Sequence, residues 1–166
     1  MFQSAALQTY PEDKTELYRE IELQLRGLFD GERDKIANAA NMSALLFQML
    51  PELNWAGFYF LGGDGKELVV GPFQGKPACV RIAVGKGVCG TAVAERRSIL
   101  VPDVHAFPGH IACDAASRSE LVIPLFRGGE VVGVLDLDSP VAARFDDEDK
   151  AGLERAAALF VASYDT

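Results

Sequence analysis

A chain of 166 residues is the size of one domain and is long enough to bury roughly 70% of its unfolded surface, so it folds without metal or disulfide staples. Its residues are 49% hydrophobic, 24% charged and 9% aromatic, proportions that exclude disorder, collagen-like sequence and a coiled coil. Sixteen Lys and Arg against 24 Asp and Glu leave a formal net charge of −8, which repels phosphate backbones and anionic membranes and argues against a nucleic-acid or membrane-surface role.

The first predicted helix runs from Pro11 to Asp30, with Leu17, Ile21, Leu25 and Leu28 at helical spacing and Gly31 just past its end. A second spans Arg33 to Leu50, carries Ile36, Ala40, Leu46 and Met49, and stops before Pro51. From Trp55 the texture changes to short apolar and β-branched runs, Trp55 to Leu61, Glu67 to Phe73 and Ala78 to Val84, broken by Gly62-Gly63-Asp64-Gly65 and Gln74-Gly75-Lys76-Pro77. That is a strand meander. A helix from Val88 to Arg96 and a short strand from Ser98 to Val101 follow.

The stretch from Pro102 to Ser117 has no period but holds both histidines and Cys113, and a loop of that length in a compact domain is either functional or hides an element. Next comes a hairpin, SELVIPLF and VVGVLDLD around RGGE, and then an amphipathic helix from about Asp146 to Ala162 with an acidic first turn. Helices at both ends of an antiparallel sheet make one α+β domain over 1–166, with amino-terminal helices at about 11–50, a sheet and site core at about 54–139 and a carboxy-terminal helix at about 146–163. The apolar run Ala156 to Ala162 falls far short of the roughly 20 residues a membrane span needs. The amino terminus has no basic segment leading into an apolar one, so no secretory signal is expected and the chain reads as cytoplasmic.

Gly85-Lys86-Gly87-Val88-Cys89-Gly90 fits G-x-G-x-x-G after a strand and at a helix start, the placement of a dinucleotide fingerprint. The antiparallel meander before it argues against that fold. What remains is a glycine-rich turn whose Val88 to Gly90 N–H groups can hold an anion such as a carboxylate, or simply a tight turn needing positive φ. His105, His110 and Cys113 form H-x4-H-x2-C, but no fourth ligand is evident and no metal is expected.

Three widely spaced cysteines, Cys79, Cys89 and Cys113, are an odd set that does not make a structural disulfide framework in a reducing compartment. They are either small buried residues or reactive ones. Cys89 sits near a helix amino terminus, where the dipole is expected to lower a thiol pKa. Cys113 lies between His110 and Arg118, each able to favour a thiolate, whereas Cys79, between Ala78 and Val80 on a predicted strand, fits a buried thiol.

On Val131 to Asp138 the period of two places Val132, Val134, Asp136 and Asp138 on one face, with Leu135 and Leu137 on the other. A strand buried on both sides leaves its two acids in need of partners or a cationic ligand, unless they mark a solvated end before Ser139-Pro140. Glu120 opens the partner strand. A two-residue Gly128-Gly129 turn sets Glu120 opposite Leu137, away from both aspartates, whereas a three-residue loop or a bulge brings all three acids together.

NWAGFYFL, GKPACVRIAVGKGVCGTA, VPDVHAFPGHIACD, SELVIPL and GVLDLDSP together resemble the free methionine-(R)-sulfoxide reductases, single-domain enzymes of the GAF fold. The resemblance covers Asn54 to about Asp149. It implies reduction of free L-methionine (R)-sulfoxide to methionine, no bound cofactor, and electrons from thioredoxin, itself supplied by NADPH through its reductase. By the same resemblance Cys113 is the sulfur nucleophile, Cys79 the resolving thiol that closes a disulfide with it, and Cys89 an alternative resolving or recycling thiol. The pocket acids match Glu120, Asp136 and Asp138, with Glu120 and Asp138 also catalytic, and the aromatic wall matches Trp55 and Tyr59. Val88 and Cys89 join the substrate-binding set through their N–H groups. A homodimer is left open, and the competing expectation is a non-catalytic GAF module that senses a small ligand.

Overall fold

Asp13 starts the first helix by accepting a hydrogen bond from the Thr15 N–H, so α1 (Lys14–Phe29) begins three residues after Pro11. Asp34 does the same for α2 (Lys35–Met49) through the Ala37 N–H. The structure, a computed structural model, describes residues 9–111 and 113–165; residues 1–8 of the segment in which no signal is expected lie outside it. Six antiparallel strands follow: β1 (Trp55–Leu61), β2 (Glu67–Gly75), β3 (Arg81–Ala83), β4 (Ile99–Val101), β5 (Ser119–Arg127) and β6 (Glu130–Ser139). They form one sheet in the order β3-β2-β1-β6-β5-β4. Helix α3 (Gly87–Glu95) sits between β3 and β4, and α4 (Asp147–Ser163) closes the chain. The arrangement is the expected α+β domain, and among the described residues no helix is long and apolar enough to cross a membrane.

The sheet separates two apolar layers. On one face α1, α2 and α4 bury Ile21, Leu25, Met42, Leu46 and Phe160 against Phe58, Leu121, Ile123 and Leu135 of the sheet, with the Phe58 and Phe160 rings 4.5 Å apart. Each such side chain contributes about 1.5–3 kcal/mol by burial. The other face carries Trp55, Tyr59, Val122 and Val134 under α3. The expected stripe of α2 is displaced at its start: Ile36 is 56% exposed, whereas Ala39 and Met42 are buried. The side chain of Asn38 causes this, since its buried amide donates to the Glu32 carbonyl and to Ser163 Oγ and so turns its own side of the first turn inward. Leu28 of α1 is likewise more exposed than its spacing predicts.

Helix α4 is tied to α1 by one buried carboxylate. Asp149 completes a capping box with Asp146 and accepts from Tyr18 Oη (2.7 Å), Lys14 Nζ (2.7 Å) and Arg144 Nη1 (3.4 Å).

Two departures from the expected strands position the site. The strand predicted over Ala78 to Val84 shrinks to Arg81–Ala83, with the Val80 carbonyl still accepting from the Val70 N–H at 2.9 Å while residues 76–79, which include Pro77 with no N–H to donate, lie outside the ladder. Cys79 is therefore a half-buried connecting residue and not a buried strand thiol. In the β5–β6 hairpin, Arg127 pairs with Glu130 and Phe126 with Val131, as a two-residue turn requires, but Leu125 pairs with Gly133. Val132 is the extra residue of a bulge. It packs toward the helices while Val131 and Val134 stay on the other face, so the expected grouping of Val132 with Val134 does not hold. The expected loop at 102–117 contains one 3-10 turn, Val104–Ala106, whose Val104 is 1% exposed.

Candidate active site

The bulge resolves the condition left open by the sequence. Below it Glu120 pairs with Asp138 and Val122 with Asp136, while β1 sets Trp55 against Asp138 and Gly57 against Asp136. One row across β1, β6 and β5 thus reads Trp55, Asp138, Glu120, with Asp136 on the same face two residues along. Trp55, Tyr59, Val88, Cys89, Cys113, Glu120, Asp136 and Asp138 all line one pocket between the sheet, α3 and the 102–117 loop. The site residues drawn from the resemblance converge there, with Cys79 joined through its bond to Cys113. Trp55 stacks on Tyr59 at 5.7 Å and on Phe73 at 5.0 Å. Two hydrogen bonds fix the aromatic wall: Trp55 Nε1 donates to the Lys76 carbonyl at 3.2 Å, and Tyr59 Oη to the Cys79 carbonyl at 3.0 Å.

Ionisation of all three acids together is disfavoured. Glu120 and Asp136 are 6% and 5% exposed, and burial first, then the neighbouring carboxylates, pushes all three carboxyl groups well above the ordinary range. The charge of Glu120 adds to burial in raising Asp136, and that of Asp138 adds to burial in raising Glu120. Among the described residues Asp136 Oδ1 has no hydrogen-bond partner. The pocket therefore favours a protonated carboxyl group beside carboxylates that suit a cationic group.

Helix α3 supplies the opposite polarity. Among the described residues no side chain caps it, so the N–H groups of its first turn are left without a cap, and Gly87, Val88 and Cys89 of that turn line the pocket. Gly90 drops out of the expected set because its N–H bonds the Lys86 carbonyl at 2.9 Å. The glycine pattern has a steric origin: Gly85 and Gly87 have φ of +88° and +60°, and a methyl at Gly90 would overlap the Ala83 carbonyl oxygen. No dinucleotide fold surrounds it.

Cys79 and Cys113 form a disulfide with Cα atoms 5.7 Å apart, and Cys89 is free and buried. The expectation of a helix-activated Cys89 is overturned. Burial, then the charges of Asp136, Glu120 and Asp138, pushes its thiol well above the ordinary value. His110 also behaves differently from expectation: burial lowers its pKa, so it favours the neutral ring, and its Nε2 lies 3.6 Å from Glu120 Oε2. Arg118 is exposed and does not line the pocket.

His105 is on the outside, paired with Asp103 at 3.1 Å, so His105, His110 and Cys113 do not converge. Among the described residues one cluster has metal-ligand spacing, Cys89, Glu120 and Asp136, with ligand atoms within 4.8 Å of one another. Burial and mutual repulsion raise the pKa of all three groups, which disfavours the deprotonated forms that a metal ion requires. Lys76, Ile82, His110, Asp114 and Ser117 also line the pocket and were missed as site residues. For His110 and Asp114 the signal was their place beside Cys113 in the aperiodic loop.

A small-molecule pocket on one face of an antiparallel sheet, with a thiol–disulfide pair bordering it, is a redox-active form of a GAF domain, whose family profile matches residues 25–163. A protein named free methionine-R-sulfoxide reductase from Escherichia coli is 54% identical over 146 residues, covering 88% of this chain and 87% of its own. One of the same name from Saccharomyces cerevisiae is 41% identical, covering 89% of this chain and 85% of its own. The X-ray structure of free methionine-R-sulfoxide reductase from Neisseria meningitidis in complex with its substrate superposes with a TM-score of 0.90 at 43% identity, covering 96% of this chain and 95% of that one. The chain belongs to the GAF-domain family of free methionine-R-sulfoxide reductases.

Proposed function

We propose that this chain reduces free L-methionine (R)-sulfoxide to L-methionine through a sulfenic acid on Cys113 and a disulfide with Cys79, which thioredoxin then reduces. The observation that carries the reading is the Cys79–Cys113 pair at a pocket holding Glu120, Asp136 and Asp138. The Cys113 thiolate attacks the sulfoxide sulfur while a neutral carboxyl group, Glu120 or Asp138, protonates the oxygen. Methionine departs and leaves the oxygen on sulfur as Cys113 sulfenic acid. The Cys79 sulfur then displaces that oxygen as water and forms the disulfide, so two thiols supply the two electrons that the sulfoxide accepts.

The pocket matches the free amino acid. A carboxylate in the acid set pairs with its ammonium, the Gly87, Val88 and Cys89 N–H groups hold its carboxylate, and Trp55 and Tyr59 pack around the S-methyl group. A methionine inside a polypeptide brings neither charge and would leave buried acids unpaired, which is costly. Cys89, buried and held as a thiol, serves as a pocket wall in this scheme.

A thioredoxin-coupled NADPH assay with free (R)-sulfoxide, free (S)-sulfoxide and a peptide sulfoxide tests the proposal. Turnover of the first alone is expected. Binding of the free (R)-sulfoxide without turnover by reduced protein would replace the reductase with a sensing module.

A further inference from the structure

The Cys113 loop crosses from the 3-10 turn to β5 with little secondary structure of its own, yet the chemistry above needs its sulfur held at the pocket and within bonding distance of Cys79. One side chain outside the pocket provides that hold. Asn54, the residue before β1, donates through Nδ2 to Asp114 Oδ2 at 3.1 Å and to Ser117 Oγ at 3.0 Å. Its own N–H donates to the Asp138 carbonyl at 3.0 Å, which pins it to the strand bearing the pocket acids. The loop end of the contact is also ordered. Asp114 Oδ1 accepts from the Ala116 N–H at 2.9 Å, the Ser117 N–H bonds the Asp114 carbonyl at 3.2 Å, and Ser117 is 6% exposed. Asp114 is the next residue after Cys113 and lines the pocket. One amide thus joins the start of β1 beside Trp55 to the residue that follows the reactive cysteine. Among the described residues Asn54 Oδ1 is buried without a partner, a cost that these two donated bonds must outweigh.

Resting on the reductase reading, we propose that Asn54 is a positioning residue: its amide clasps the Asp114–Ser117 stretch to the start of β1 and keeps the Cys113 sulfenic acid within reach of Cys79. Two outcomes compete for that sulfenic acid. The Cys79 thiol attacks its sulfur, forms the disulfide and releases water, or a hydroperoxide transfers a further oxygen, becomes water or an alcohol, and leaves Cys113 as the sulfinic acid. Holding the loop speeds the first and has no effect on the intrinsic rate of the second.

The test uses the full chain, reduced, and mixes it with either hydrogen peroxide or free (R)-sulfoxide. Acid quench, thiol alkylation and intact mass then follow disulfide closure, with dimedone trapping the sulfenic acid. Asn54→Ala is expected to form the sulfenic acid at the wild-type rate but to close the disulfide about tenfold more slowly or worse, the scale set by two ordinary hydrogen bonds. It is also expected to accumulate sulfinic acid under excess peroxide. Asn54→Asp, which keeps the shape but faces Asp114 with a second carboxylate, is expected to close at least as slowly, and adding Asp114→Asn restores a donor across the same gap and recovers the rate. Unchanged closure in folded Asn54→Ala would overturn the proposal, as would a double variant no faster than Asn54→Asp alone. The peroxide arm separates this test from the reductase reading: a wild type that closes with peroxide but releases no methionine from sulfoxide refutes the activity and still reports on the clasp. A wild type that fails to join Cys79 to Cys113 in either arm refutes the clasp.

Discussion

Replacing Glu120 by Gln separates two consequences of one buried carboxyl group. Burial, and then the Asp138 carboxylate, holds the folded-state pKa of Glu120 well above the 4.5 of a free side chain. Between those two values the folded chain keeps a proton that the unfolded chain has lost, so stability falls as pH rises, with a slope approaching about 1.4 kcal/mol per pH unit for one proton. The cost is absent below the unfolded pKa and fully present above the folded one. Glu120→Gln removes it and also removes a like charge from Asp136. The variant is therefore expected to gain on the wild type progressively as pH rises above 4.5, up to the point where the folded carboxyl itself ionises. Urea unfolding of both proteins with the Cys79–Cys113 disulfide closed measures this gap directly. In the same variant an amide replaces the acid, so sulfoxide reduction should fall by about 10²–10⁴ if Glu120 is the proton donor. A stability gap that stays flat or narrows with rising pH would refute the claim that the pocket holds this carboxyl protonated. Full activity in both Glu120→Gln and Asp138→Asn would remove the acid-catalysis step.

Cys113→Ser is expected to release no methionine even in a single turnover, whereas Cys79→Ser should release about one equivalent and then stall; chromatographic measurement of methionine from stoichiometric reactions checks both, and a dead Cys89→Ser beside an active Cys113→Ser would reverse the assignment. Asp149→Ala leaves Tyr18, Lys14 and Arg144 without their shared acceptor, and a loss of about 3–5 kcal/mol is expected from urea midpoints. Gly90→Ala drives a methyl into the Ala83 carbonyl beneath α3 and should cost about 1–3 kcal/mol despite the better helix propensity, with a raised KM for the sulfoxide as the first turn of α3 shifts.

The helices and strands were legible because their signals are local. Asp13 and Asp34 cap, Gly31 and Pro51 stop, and the acidic first turn of α4 forms a capping box as its charge suits. What the sequence hid depends on partners far along the chain. Asp149 reads as one more first-turn acid, and only the packing of α1 on α4, with Tyr18 separated from it by 131 residues, makes it the buried acceptor joining the two. Cys89 shows the same limit for the site. Its helix position predicts a lowered thiol pKa, but its burial and then three acids from β5 and β6 outweigh the dipole and push it up. The Cys79–Cys113 pairing could not be deduced from spacing and came from family resemblance; the structure bears it out.

The β5–β6 bulge links the smallest sequence feature to the largest chemical consequence. With regular pairing from the Gly128-Gly129 turn, Glu120 would lie opposite Leu137 on the face that packs Leu121, Ile123 and Leu135 against the helices. A carboxyl group there would meet only apolar side chains, and its burial would be uncompensated. One extra residue, Val132, returns Glu120 to the face of Asp136 and Asp138. Its own side chain stays apolar on the helix side, so the bulge costs the core little. The same shift explains why the acids must be read together: Glu120 and Asp136 are buried and Asp138 is half-buried beside them, at a cost that a bound cation or a retained proton relieves, and in the proposed reaction a zwitterionic sulfoxide would supply the cation and take up the proton. Stability has been traded for function on that one face of the sheet, and the pH-dependent gap expected for Glu120→Gln measures the size of the trade.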